Sequence, residues 1–437
     1  MIFDTGISGL QAASSNLDVI GNNIANSSTV GFKGSRANFG DIYSSGGYGS
    51  SGSTPGGGVM LTSVQQSFAS GTMTNTNNTL DLAISGNGFF ILNDQGSTAY
   101  SRAGQFNLNN ENYITNASGQ FLTGYLADAS GNITGASGNI QVNMANLSPK
   151  ATTLVSTGLN LNSQSTPPAA DWSGGAAPVT DTYNNTTSMT IYDSLGNSHV
   201  LSMYFIMADA AATPGQPDAA SPAGKTNQWY VAFQIDNQDV PAITTPGNSS
   251  NLFAANFNSD GTFSSVQDTT GTAIPTNLVP LSYTLTNGAN PLSLSIDLSS
   301  CTQFGSPFAV QSAHASGYTT GNLAGLQIDA TGIISGSYSN GQTLAMGQIQ
   351  LANFADLNGL QNIGNVSWTE TATSGQALIG TGGTGSFGNI LSGRLEESNV
   401  DITSELVDLI GAQRDFQANA QTIRAGDTIT QTIINIR

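Results

Sequence analysis

Residues 396–437 read EESNVDITSELVDLIGAQRDFQANAQTIRAGDTITQTIINIR, and this stretch decides the fold. Ile402, Leu406, Leu409, Phe416, Ala420, Ile423 and Ile434 fall on alternating steps of three and four, with Gln413, Asp427 and Thr430 filling the gaps. That spacing is the a/d seam of a coiled coil. Glu405, Asp408, Arg414, Asp415 and Arg424 supply a polar side. Ser398 or Asn399 is placed to cap the start, and Asp401 sits in the first turn, where the helix dipole favours an anion. A helix over 400–436 would be roughly 50 Å long at ~1.5 Å per residue. The middle of the chain carries no comparable helical pattern, so the apolar stripe needs a partner elsewhere.

The opposite end offers one. Phe3, Ile7, Leu10, Leu17 and Ile24 also stand on heptad steps, with Ala13 and Ile20 alongside and Thr5 as a possible cap. Gly6, Gly9 and Gly21 weaken this helix, each by about 1 kcal/mol against Ala. A short helix of this kind holds in water only when packed. The simplest reading pairs the two ends and inserts everything else between them. Two paired helices leave part of the C-terminal stripe wet, and burying one Leu or Ile is worth about 1.5–3 kcal/mol. That favours neighbours from other subunits.

Composition narrows the classes. Of 437 residues only 8% are charged, against a usual ~25%. Small polar residues with regular apolar runs fit a β-rich extracellular or assembly protein. A net charge of −18 with nine basic residues, none before Lys33, argues against nucleic acid, which needs clustered Lys and Arg. It also disfavours docking on anionic lipid. Cys301 is the single cysteine, so no internal disulfide forms and a cysteine zinc site is ruled out. The N-terminus lacks a basic n-region with an apolar core, and no run of 18 apolar residues predicts a membrane span.

Between the ends the periodicity is that of strands. Residues 44–58 are almost wholly Gly and Ser, a flexible loop by composition. Leu80, Leu82 and Ile84 alternate ahead of the run Phe89-Phe90-Ile91-Leu92, and Gly- and Asn-rich turns recur afterwards. Thr187–Tyr192, the turn 193–197 and His199–Met207 form a hairpin; Trp229–Ile235 and Phe253–Phe263 continue a second β region. Between Leu147 and Gly317 the basic residues are Lys150 and Lys225, against ten Asp, which marks a separate acidic domain. The first β pattern resumes at Leu326-Gln327-Ile328 and Gln348–Ala352, and the stretch after Phe354 reads as irregular up to the last helix. The expected fold is therefore α+β, mainly β, and nested. Paired coiled-coil-like terminal helices (1–30 and 396–437) are joined by Gly/Ser-rich segments (31–70 and 356–395) to an inner antiparallel β domain (71–147 and 318–355). The outer β domain spans 148–317.

Catalytic chemistry has little to stand on. His199 and His314 are the only histidines and neither lies in a ligand-like cluster. No Gly-x-Ser-x-Gly elbow supports a nucleophile. Asp193, Asp260 and Asp329 precede glycines in hairpin turns, where local hydrogen bonding and positive φ explain them better than a calcium loop. Gly86-Asn87-Gly88 precedes a strand, not a helix, so it is no phosphate cradle. No enzyme, cofactor or metal is expected.

At both ends the residues resemble a known family. Gly6-Ile7-Ser8-Gly9-Leu10 and Asn22-Asn23-Ile24-Ala25-Asn26 match the signature of the flagellar axial proteins. Gly31-Phe32-Lys33 with Arg36, Ala37 and Phe39 is similar to the hook version, as are Tyr338–Gln342 and Leu351–Phe354. Leu395-Glu396-Glu397-Ser398-Asn399-Val400-Asp401 and Gln413-Arg414-Asp415-Phe416-Gln417-Ala418-Asn419 complete the match. The chain thus resembles the bacterial flagellar hook proteins within the rod, hook and junction group. The resemblance implies a subunit exported through the flagellar type III apparatus without a cleaved signal. Such subunits polymerise with themselves into a curved extracellular tube that passes motor torque to the filament. It also implies contacts with the distal rod protein, the hook cap and the hook–filament junction protein. A distal rod or junction protein would share both ends, but rod proteins are shorter. A secreted β-rich adhesin would explain the middle without the terminal heptads.

Overall fold

The computed structural model describes residues 2–42, 56–170, 172, 178–208, 227–240, 252–268 and 271–435. The Gly/Ser-rich loop 44–58 lies outside them apart from 56–58, as does Lys225. The chain forms two compact units. The first takes in Met1–Met144, Ala324–Ser337 and Thr343–Arg437; the second takes in Ala145–Leu323 and Tyr338–Gln342.

The first unit holds two long helices, α1 (Ile2–Ala25) and α2 (Ile402–Asn435). Helix α1 begins ahead of Thr5, so Thr5 is inside the helix and does not cap it. Helix α2 is capped by Asp401, whose Oδ1 accepts the N–H groups of Thr403 (2.8 Å) and Ser404 (3.4 Å). Ser398 and Asn399 are drawn away from that task. Asn399 instead accepts from Gly34 N (2.8 Å) and donates to the carbonyls of Ser67 and Ala69.

A two-stranded antiparallel ribbon, β1 (Ser35–Asp41) with β2 (Val59–Gln66), follows α1. Beyond it lies a large sheet. Its centre is the strand Thr343–Asn353, flanked by Phe121–Ala127 and Phe89–Asp94, with Ser97–Ser101 and Ser367–Thr369 beyond. The second half of the central strand, Met346 to Ala352, is buried almost throughout, although Gln348 and Gln350 alternate there with Ile349 and Leu351. Phe89, Ile91, Tyr100, Ala352, Phe354 and Trp368 make its core, joined by edge-to-face rings from Phe68. The segment 355–395, read as irregular, carries short strands instead. Asn389–Ser392 pairs with Leu82–Ser85 and Arg394–Glu396 with Met73–Asn75. Strands of three or four residues are too short to show a period, and their partners lie some three hundred residues away.

The second unit is a sandwich of two sheets. The hairpin forms as expected, Asn185–Tyr192 against Ser198–Met207 with Tyr192 opposite Ser198, and Gln228–Ile235, Leu252–Phe257 and Phe263–Asp268 extend it. The facing sheet is mixed. Leu154–Asn162 runs parallel to both Leu292–Asp297 and Thr302–Phe304 and antiparallel to Ala309–Ala315. Trp229, Val231, Phe233, Leu159, Ile296 and Cys301 fill the space between the sheets.

Turn chemistry is repeated in both units. Asp128, Asp193 and Asp329 each use Oδ1 to accept the N–H groups two and four residues on. The glycine three residues on lies in the left-handed region in each case, at φ 82°, 87° and 85°. One of these turns does more. Asp193 Oδ2 also accepts from Asn287 (2.7 Å) across the sandwich, and His199 sits between Asp236 (2.6 Å) and Asp193 (3.3 Å). Burial opposes charge on His199, but the two carboxylates outweigh it and raise its pKa. Burial likewise disfavours the Asp193 carboxylate, yet its donors Asn197, Asn287 and His199 hold its pKa well below the ordinary value.

Candidate functional site

The site is built from the two ends of the chain. Helices α1 and α2 run antiparallel: Gly6 lies against Ile423, Gly9 against Asn419, and Asn23 reaches Glu405 (3.0 Å). A Cβ on Gly6 would come within 2.8 Å of Ile423 Cγ1. The glycines that weaken α1 therefore also allow the close approach. Ala13 and Ile20, on heptad steps from Gly6, are buried as well. On α2 the residues withdrawn from solvent are Glu405, Leu409, Ala412, Phe416, Asn419, Ile423 and Gly426, stepping by four and three, with Ala420 beside them.

This contact leaves much of the apolar stripe uncovered. Phe3 and Ile7 are exposed, and Leu10, Leu17 and Ile24 are half-buried. On α2, Ile402 (47% exposed), Leu406 (46%), Ile410 (51%) and Ile434 (67%) stay exposed beside this contact, as do Val407 and Ile429. Of the motif residues, Asn22, Arg36, Gln413 and Arg414 are exposed, while Asn26, Phe32, Asn399 and Val400 are partly covered. Asn23, Gly31, Lys33 and Ser398 are buried.

Those buried residues meet at the root of the helix pair. Lys33 Nζ lies 2.7 Å from Glu396 Oε1 and donates to the Ala69 carbonyl (2.8 Å). Glu396 Oε1 also accepts from Gly71 N, and its Oε2 lies 3.2 Å from Arg102 Nη1. Arg102 donates further to the carbonyls of Ile84 and Gly86 and stacks over the Phe89 ring at 5.5 Å. Gly31 takes φ 71° so that its N–H reaches the Glu396 carbonyl (2.7 Å), where a side chain would strike the backbone of Arg102 and Ala103. Asn23 closes the ring, donating to Ser35 O (2.7 Å) and accepting from Ser35 N (2.9 Å). Burial, with Arg102 adding to it, lowers the Lys33 pKa against the pull of Glu396; burial does the same to Arg102.

Sequence reasoning singled out Lys33 and passed over Arg102, the second cation on Glu396. The available signal was scarcity: in a chain with nine basic residues, each one placed beside apolar runs invites a search for a carboxylate.

A cluster that ties residues 23–35, 67–71, 102 and 396–405 together, under two antiparallel terminal helices, is an anchoring device. Four family models match the chain: "Flagella basal body rod protein" over 3–33, "Flagellar hook protein FlgE/F/G D1 domain" over 83–158, "Flagellar basal body protein FlaE D2 domain" over 160–318, and "Flagellar basal body rod FlgEFG protein C-terminal" over 391–436. The chain is thus of the axial class of flagellar proteins. Full-length relatives narrow it. The flagellar hook proteins FlgE of Salmonella typhimurium LT2 and Escherichia coli K12 are each 40% identical over 100% of both chains. That of Treponema pallidum is 32% identical over 99% of this chain and 98% of its own. The chain belongs to the flagellar hook protein family, FlgE. The crystal structure of Helicobacter pylori FlgE2 shares the fold, with a TM-score of 0.52 and 14% identity over 72% of this chain and 98% of that one.

Proposed function

We propose that this chain is the structural subunit of the bacterial flagellar hook. It polymerises into a curved, flexible extracellular tube that transmits motor torque to the filament. The observation that carries this reading is the residual apolar stripe. After α1 and α2 have paired, Ile7, Ile402, Leu406, Val407, Ile410 and Ile434 remain exposed along the two helices. Exposed apolar surface of this extent marks an interaction site, and identical copies stacked along their helices would cover it. The helices form the packed shell that resists twisting, and the β units slide against neighbours as the tube bends. Weakly charged faces suit contacts that break and re-form, since exposed ion pairs add only ~0–1 kcal/mol each. The distal rod protein, the hook cap, the junction protein and the type III export apparatus are the heterologous partners of this reading.

The test is Leu406→Asp combined with Ile410→Asp. Both side chains are about half exposed in the single chain, so its fold should survive. Bacteria carrying the variant should export the chain into the medium and build no hooks. Hooks of normal number and length would overturn the proposal.

A further inference from the structure

The chain enters and leaves the second unit through a short stem. Leu147 pairs with Gly321 and Lys150 with Tyr318, each pair exchanging backbone hydrogen bonds in both directions at 2.8–3.2 Å. Thr152 then joins the sandwich, donating its N–H to the Tyr192 carbonyl and accepting from Tyr192 N at its Oγ1, both at 2.9 Å. The turn 193–197 rests on both stem strands. A Cβ on Gly196, which stands at φ 87°, would come within 2.8 Å of Pro149 Cβ and 3.5 Å of Thr319 Oγ1.

A cluster holds that turn from behind. The buried Asp193 carboxylate organises the turn and accepts from Asn287, while Ser194 Oγ accepts from Asn290 N (3.0 Å). His199 Nε2 lies 3.3 Å from Asp193 Oδ2, and its Nδ1 lies 2.6 Å from Asp236 Oδ2. The other Asp236 oxygen accepts from Val200 N (2.9 Å). Three turns, at 193–197, 236–237 and 287–290, are thus joined through Asp193 and one imidazole. Of the remaining groups nearby, Asp239 accepts from Gln234 (2.9 Å), and the turn 287–290 has no titratable side chain. The stem brings Tyr318 and Lys150, and among the described residues Lys150 makes no ion pair.

The ring's protonation state decides whether this cluster is satisfied. An imidazolium has two N–H groups, one for each carboxylate, whereas the neutral ring has only one. Whichever tautomer forms, a ring lone pair then faces a carboxylate oxygen, and one side of the cluster loses its donor. Burial opposes the charged ring, but the two carboxylates outweigh it and favour the proton. The stabilisation is therefore complete below about 6.5 and is lost as pH rises through the folded value.

We propose that His199 is a proton-operated clasp on the stem. Protonated, it seats the 193–197 turn against Pro149 and Thr319 and keeps the stem paired. Without its proton it releases the turn, and the stem frays at Lys150 and Tyr318. The device belongs to the second unit alone and stands whether or not the chain builds hooks.

The test is amide exchange of the full-length chain, read by mass spectrometry on peptides covering 147–152 and 316–321. It is run at about pH 5.5 and about pH 8.5, either side of the free histidine value. Dividing by the free-peptide rate removes the intrinsic pH dependence. Stem protection should fall about tenfold at the higher pH, the scale of one hydrogen bond to a charged group. His199→Ala should show the lower protection at both pH values. Asp236→Asn should show the higher protection at both: its Oδ1 still accepts from Val200, and its Nδ2 donates to the neutral ring while the ring donates to Asp193. The Asp236 side chain is 44% exposed, so this variant decides the matter even if His199→Ala does not fold. Stem protection independent of pH in the unaltered chain, or an undiminished fall in Asp236→Asn, would overturn the clasp.

Discussion

Lys33 Nζ and Glu396 Oε1 lie 2.7 Å apart, both side chains fully shielded from solvent, although they stand 363 positions apart in the chain. A buried pair contributes little relative to apolar groups of the same shape, but breaking one half of it costs about 3–5 kcal/mol. Glu396→Gln leaves Lys33 and Arg102 without a counter-charge. The first unit of this variant should lose stability of that order, read as a lower denaturant midpoint. An unchanged midpoint would mean that the cluster does not anchor the ends.

The glycines of α1 should respond with opposite signs. Gly21 meets nothing within 4 Å, so Gly21→Ala should stabilise by about 1 kcal/mol through helix propensity alone. At Gly6 and Gly9 the space is taken by Ile423 and Asn419. Gly6→Val with Gly9→Val should loosen the helix pair and speed amide exchange in α2. Equal gains at all three positions would rule out close packing.

The second unit should respond to pH through His199. Its folded pKa is raised, so its stabilisation is complete below about 6.5 and is lost as pH rises through the folded value. Asp193 works in the other direction. Its folded pKa is depressed, so its contribution is present above about 4 and is lost on acidification. A stability plateau between about pH 4 and 6.5 is expected. Calorimetry of His199→Gln should show the alkaline fall removed and the acid fall kept.

Cys301 is buried between the sheets of the second unit, and burial pushes its thiol up to about 11. Because the thiolate is the reactive species, a maleimide should label the native chain at neutral pH only as fast as that unit opens. Labelling at the rate of a free thiol would contradict the sandwich core.

Much of this was legible in the sequence. The periodicity of α2 and the hairpin around Asp193 follow from residue spacing alone. Three things were not. The face of α1 that meets α2 carries Gly6, Gly9 and Ala13, and small residues leave no mark in a hydrophobic period, so the eye follows Phe3, Ile7 and Leu10 instead. The cluster of Lys33, Arg102 and Glu396 joins residues remote in the chain, and no local pattern couples them. The strands at 389–396 were missed for the same reason, since they exist only through pairing with 73–85.

The ion cluster has a consequence for the order in which the chain settles. Lys33 and Arg102 emerge early from the ribosome, whereas the carboxylate that neutralises them arrives with residue 396. A chain cut short before that point carries two stranded cations at the spot where its helices should lock. Such a truncated chain should fail to lock that spot, so the last helix must arrive before the first can be held.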